Sequence, residues 1–114
     1  LMTPTFLRRS TEEALAMAQT VVKPETSAQM RYLFRLNATD GSAAKADVIG
    51  YRVGGKTGTA ETAGELPHAW FIGFIGLPGE APRYAVAVIL EAGGGGGQVA
   101  LPIGRDLLVA AMGR

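Results

Sequence analysis

Tyr51-Arg52-Val53-Gly54-Gly55-Lys56-Thr57-Gly58-Thr59-Ala60-Glu61 is the stretch on which the fold turns. It sets a cation, two hydroxyls and a residue without a side chain on one short segment whose composition reads as an extended strand over about 51–60. Side chains alternate along a strand, so Lys56 and Gly58 fall on one side and Thr57 and Thr59 on the other. With no Cβ at Gly58, a second backbone can come close to the strand edge there.

Downstream, Ala69-Trp70-Phe71-Ile72-Gly73-Phe74-Ile75-Gly76 and Arg83-Tyr84-Ala85-Val86-Ala87-Val88-Ile89-Leu90-Glu91 are β-branched and aromatic runs bounded by Gly, Pro or charge. They read as strands over about 69–76 and 83–91. The connections, 61–68 and 77–82, hold Gly64, Pro67, Pro78-Gly79 and Pro82, so antiparallel hairpins are the natural geometry. Tyr84 to Leu90 is apolar at almost every position, which predicts burial on both faces. Val99, Ile103, Leu107 and Ala110 recur at helical spacing, giving a last helix over about 99–112 with Pro102 in its first turn.

Upstream, Ser10-x-x-Glu13 before Ala14-Leu15-Ala16-Met17 is a capping box that opens a short helix over about 10–18. Pro24-Glu25-Thr26-Ser27 opens a second, over about 24–39, with Met30, Leu33, Phe34 and Asn37-Ala38 on the 3.6 period and a stop at Asp40-Gly41. Ser42 to Asp47 reads as a polar linker into the strand. The fold class is therefore α+β: an antiparallel three-stranded sheet with N-terminal helices and a C-terminal helix.

The 114 residues suffice for one domain or part of one. A net charge of +1 makes no case for nucleic acid or an acidic membrane surface. The absence of Cys suits an oxidising compartment without requiring one. No apolar run reaches the roughly 18–20 residues that span a bilayer, and no signal peptide is visible. A first residue of Leu, not Met, points to a processed, excised or partial product.

Lys56-Thr57-Gly58 is one of three motifs of the active-site serine penicillin-recognising enzymes. With Val22-x-Pro24-Glu25-Thr26 and Ala46-Asp47-Val48-x-Gly50-Tyr51-x-Val53-Gly54-Gly55-Lys56-Thr57-Gly58-Thr59-Ala60-Glu61, the chain from about Thr5 to Met112 resembles the class B penicillin-binding proteins, in their C-terminal transpeptidase part. The upstream half resembles the septal cell-division branch most. The stretch between Glu61 and His68 is shorter than the loop usual there in septal enzymes, and the five-glycine run after Glu91 departs from the Tyr/Gly-containing loop expected. The downstream half resembles other class B enzymes more, so division and elongation both stay open.

The resemblance implies a peptidoglycan D,D-transpeptidase that is acylated on a serine by a D-Ala-D-Ala stem peptide and passes the acyl group to a neighbouring amine. β-Lactams would imitate that peptide. Lys56 would be the catalytic cation, polarising the serine network and attracting the substrate carboxylate. Thr57 and Thr59 would hydrogen-bond that carboxylate, the Thr59 N–H would supply an oxyanion donor, and Gly58 would keep the edge clear for substrate to add as a strand. No cofactor or metal is implied. The implied partners are the stem peptide, β-lactams, the rest of the transpeptidase domain and cell-wall synthesis or divisome proteins. The implied location is the periplasmic or extracytoplasmic face, with the parent anchored in the inner membrane by an N-terminal helix. A class D β-lactamase or β-lactam sensor domain is the alternative.

The family also carries a nucleophilic Ser-x-x-Lys and a Ser-x-Asn upstream of Lys-Thr-Gly. Here the one Ser-x-x-Lys is Ser42-Ala43-Ala44-Lys45, directly after the helix stop, and no Ser-x-Asn occurs. A nucleophile needs a rigid seat and a base within hydrogen-bond reach, so Ser42 reads as coincidence and the nucleophile is expected outside this sequence. Gly50-x-x-x-x-Gly55-Lys56-Thr57 matches the phosphate-loop pattern. Such a loop must open a helix, and Gly58 to Pro67 has no helical period. His68 reads as a polar rim residue, and Trp70, Phe71 and Phe74 as packing. Gly93 to Gly97 reads as a flexible connection and Arg8-Arg9 as a solvated pair.

Overall fold

The computed structural model describes residues 1–113. In chain order these form α1 (Thr11–Ala16), α2 (Pro24–Asp40), a 3-10 turn (Ala44–Ala46), β1 (Arg52–Ala60), β2 (His68–Gly76), β3 (Tyr84–Leu90), a π-type turn (Gly96–Ala100) and α3 (Leu101–Met112). The strands lie in the order β1-β2-β3. Both pairings are antiparallel, from Arg52 opposite Gly76 to Ala60 opposite His68, and from Ala69 opposite Leu90 to Ile75 opposite Tyr84. The α+β class read from the sequence is the one observed. None of the described helices is long and apolar enough to cross a membrane.

The starts of α1 and α2 have local causes. Ser10 Oγ accepts the Glu13 N–H at 3.1 Å, and Glu13 Oε2 accepts the Ser10 N–H at 2.9 Å, which completes the capping box of α1. Pro24 sits in the first turn of α2, where a missing N–H costs nothing. The stop of α2 at Gly41 has a different cause from the left-handed cap glycine usually supplies. Its φ is −113°, and a Cβ there would lie within bonding range of the Asn37 carboxamide. Gly41 ends the helix by leaving room for Asn37.

The core lies on one face of the sheet. Val53, Ala69, Phe71, Ile75 and Val88 meet Ala100, Leu101 and Leu108 there, with Ala43 and Ala46 at the rim. Full burial of side chains such as Phe71 and Leu108 contributes roughly 1.5–3 kcal/mol each. Gly55, Gly73 and Gly104 surround the Phe71 ring closely enough that a Cβ on any of them would overlap it. The helix α3 thus approaches the sheet through Leu101, Gly104 and Leu108, while Ile103 and Leu107 are exposed. This differs from the expected stripe through Val99, Ile103 and Leu107. The helix is apolar on more than one side, and the face that docks is the one where Gly104 admits Phe71.

Three further expectations are corrected. The segment from Ser42 to Asp47 is not a loose linker, because its 3-10 turn buries Ala43 and Ala46. Gly93 to Gly97 is no free connection: Gly96 is buried, and a Cβ there would strike the Gly58 and Trp70 carbonyl oxygens. Lastly, β3 is covered on one face only. Val88 is buried and Val86 and Leu90 are partly so, whereas Ala85, Ala87 and Ile89 face outward beside Ile72 and Trp70. The reason is that α3 packs against one side of β3, while α2 on the other side reaches β1 and only the near part of β2, where Phe34 meets Phe74 at 6.4 Å between ring centroids. Trp70 therefore stands on the open face and is not core packing.

Arg35 clamps α2 to the sheet. Its guanidinium bonds Asp47 at 2.6 Å and donates to the Val53 carbonyl at 2.9 Å. The bond to a partly buried strand carbonyl is charge-assisted, while the carboxylate partner is substantially exposed and screened. Arg35→Ala is expected to lower the unfolding free energy in urea by about 1–2 kcal/mol. A change within about 0.5 kcal/mol, the range of ordinary surface substitutions, would show that the clamp carries no stability.

Candidate functional site

The strand β1 is an outer strand of the sheet. In an antiparallel strand the N–H and C=O of one residue point the same way, and successive residues alternate. The carbonyls of Val53, Gly55 and Thr57 all receive side-chain donors: Arg35 Nη1 at 2.9 Å, Asn37 Nδ2 at 2.8 Å and Lys56 Nζ at 2.5 Å. Odd-numbered residues thus direct their backbone away from β2. The upstream half of this free edge is closed by α2 through Arg35 and Asn37. From Thr57 onward the Lys56 ammonium is the one hydrogen-bonding side chain along it among the described residues, and the alternation turns the N–H groups of Thr57 and Thr59 outward.

The four residues singled out from the sequence are spread over two faces and this edge. Lys56 and Gly58 stand opposite Ile72 and Trp70, and Thr57 and Thr59 stand opposite Phe71 and Ala69. Lys56 is exposed beside a hollow of about 290 Å³ lined by Met30, Leu33, Phe34 and Asn37. Thr57 Oγ1 lies 3.1 Å from Ser42 Oγ. Thr59 Oγ1 accepts the Gly96 N–H at 3.2 Å, which leaves its own hydrogen free to donate outward. A Cβ at Gly58 would come within 3.3 Å of Trp70 Cβ, so this glycine also relieves its cross-strand neighbour. The whole arrangement is a cation, two hydroxyls and outward N–H groups gathered on an open strand edge, suited to hold an extended ligand that ends in an anion.

Residues 1–109 match the family model described as the penicillin binding protein transpeptidase domain. The chain belongs to that family. Peptidoglycan D,D-transpeptidase PbpA of Mycobacterium tuberculosis is 37% identical over 100 residues, covering 80% of this chain and 20% of that protein. Stage V sporulation protein D of Bacillus subtilis is 40% identical over 91 residues, covering 73% of this chain and 14% of that protein. Among solved structures, the imipenem acyl-enzyme complex of penicillin-binding protein A from M. tuberculosis superposes with a TM-score of 0.65 at 38% identity, over 80% of this chain and 20% of that one. The transpeptidase-domain chain thus spans about a fifth of the length of the PbpA relative.

Sequence reasoning missed Arg35, Asn37, Ser42 and Gly96, all of which touch β1 near the site. Asn37 carried a signal, since it is a polar residue on the apolar stripe of α2. Gly96 was hidden among five consecutive glycines. Ser42 is fixed, but not as a Ser-x-x-Lys pair: its partners are Asn37 and Thr57, and among the described residues no hydrogen bond joins it to Lys45. The Gly50 to Thr57 run lies in a turn and a strand and opens no helix, so it makes no phosphate loop.

His68 is a rim residue with a definite task. Its Nδ1 accepts the Ala92 N–H at 2.9 Å, which holds the turn after β3 where Ala92 adopts a φ of +50°.

Proposed function

We propose that this chain is the C-terminal segment of the transpeptidase domain of a longer peptidoglycan D,D-transpeptidase, and that it supplies the substrate-binding edge. Its single strongest support is the free edge of β1 that begins at Thr57, with the Lys56 ammonium and the Thr57 and Thr59 hydroxyls within four consecutive residues. The acyl-enzyme form of the 38% identical relative supports the same chemistry.

In this reading a D-Ala-D-Ala stem peptide lies antiparallel along residues 57–59 and pairs with their outward backbone groups. Its terminal carboxylate meets the two hydroxyls. Lys56 holds positive charge close to the serine that attacks the scissile carbonyl, and the Thr59 N–H donates to the oxyanion. The serine's oxygen bonds the carbonyl carbon as its proton passes to the terminal D-Ala, which leaves as an amine. An amine of a neighbouring strand later bonds the same carbon, and its proton returns to the departing serine oxygen. The nucleophile comes from a part of the enzyme outside this chain. The enzyme acts at the extracytoplasmic face, held by a membrane anchor, among cell-wall synthesis or divisome proteins.

This polypeptide alone is expected to form no covalent adduct with a fluorescent penicillin, whereas the complete enzyme labels at a serine outside residues 1–114. Mass spectrometry of a labelled isolated chain, with the adduct on Ser42 or any other serine here, would overturn the assignment. Failure of the complete enzyme to label would reject the transpeptidase reading itself.

A further inference from the structure

Beside the strand edge lies a hydroxyl relay that the family motif does not contain. Ser42 follows the end of α2, and Asn37 fixes it from one turn back. The Ser42 N–H donates to Asn37 Oδ1 at 3.1 Å, and Ser42 Oγ lies 3.4 Å from Asn37 Nδ2 and 3.5 Å from Asn37 Oδ1. Asn37 is anchored in turn. Its Nδ2 donates to the Gly55 carbonyl at 2.8 Å, and its own carbonyl accepts the N–H groups of Gly41 and Ala43. At the other end, Thr57 Oγ1 and Ser42 Oγ are 3.1 Å apart.

A hydroxyl owns one hydrogen and two lone pairs. If Thr57 spends its hydrogen on Ser42, it offers an anion only lone pairs, which repel it. If Ser42 instead donates to Thr57, the Thr57 hydrogen is released toward the edge. The surroundings of Ser42 favour the second state. Asn37 Nδ2–H can donate to Ser42 Oγ at 3.4 Å, and the Ser42 hydrogen then finds Thr57 Oγ1 at 3.1 Å nearer than the competing acceptor Asn37 Oδ1, which lies at 3.5 Å and already takes the Ser42 N–H. The chain then runs in one direction, from the Asn37 amide through Ser42 and Thr57 to the ligand, and each bond polarises the next. No proton changes owner; two hydroxyls rotate.

We propose that Ser42, held by Asn37, is a positioning residue that turns the Thr57 hydroxyl into a donor for carboxylate-bearing ligands, an inference that rests on Thr57 meeting the ligand carboxylate as set out above. Ser42 does not touch the ligand. Its effect is on the discrimination between a ligand with a free carboxylate and one without, because only the former rewards a correctly aimed hydrogen.

The test is the ratio of acylation rate constants for a penicillin and its carboxylate methyl ester, measured on the complete enzyme. Ser42→Ala is expected to lower this preference for the free acid about tenfold, the loss typical of a hydrogen bond to a charged group. Ser42→Thr, which keeps the hydroxyl, restores it. A merely structural defect lowers both rates alike and leaves the ratio unchanged, and that result overturns the proposal. Ser42→Cys, close in size but a weak donor, gives the same readout if the alanine variant does not fold. Thr57→Val separates the two levels. If it lowers the ratio while the Ser42 variants do not, the relay fails and the carboxylate site stands. If Thr57→Val leaves the ratio intact, the carboxylate role of Thr57 fails and the relay falls with it.

Discussion

Lys56→Ala, made in the complete enzyme, is expected to lower the rate of acylation by penicillin about 100- to 1,000-fold, the loss seen when one fixed electrostatic stabiliser is removed from a reacting centre. The fold should hardly change. Lys56 is exposed, its one hydrogen bond in the described structure is to the carbonyl of Thr57 next to it, and no core side chain depends on it. In this structure the ammonium lies along the same edge that the proposed substrate would occupy, so ligand entry must draw it off the Thr57 carbonyl. The removal of a positive charge should also weaken capture of the anionic ligand before chemistry. Stopped-flow acylation together with thermal unfolding separates these effects. Near-normal acylation in a folded variant would remove Lys56 from the catalytic assignment.

The isolated chain is expected to be marginally stable and to self-associate through residues 84–90. In the described sheet β3 has β2 on one side and no strand on the other, so its outer N–H and C=O groups are a template for another strand. Neither Pro nor a charged residue interrupts Tyr84 to Leu90. The open face beside it adds apolar surface, with Trp70, Ile72 and Ile89 at 41%, 43% and 44% exposure. Sedimentation velocity should show dimers or larger species, and hydrogen exchange should show concentration-dependent protection confined to this strand. Ala87→Lys, at an exposed position of β3, should favour the monomer by placing a charge on that face. A monomer at high concentration, with strongly protected amides along both edges of β3, would refute the expectation.

Much of the architecture was written locally. Strand composition, turn residues and helix caps specify α+β with two hairpins, because period, propensity and capping each act over a few residues. The Ser10 capping box and the Pro24 helix start are of this kind. So is the placing of Lys56 and Thr57 on opposite faces of one strand, which follows from alternation alone.

What the tertiary structure decided are matters of contact between distant segments. The apolar residues of α3 permit more than one docking face, and the one used carries Gly104, where the absence of a side chain lets the helix close on Phe71. An apolar run such as Tyr84 to Leu90 states that it can be buried, not what stands ready to cover it; here α3 covers one face and the other is open. Arg35 looked like an ordinary helix position, and Asn37 was only a polar residue on an apolar stripe, until α2 laid them on the outward carbonyls of β1. Ser42 and Thr57, fifteen residues apart in the chain, became hydrogen-bond partners only through that packing. A sequence sets the torsional preferences of each segment, whereas the reach of a side chain across a 3 Å hydrogen bond depends on how whole segments dock.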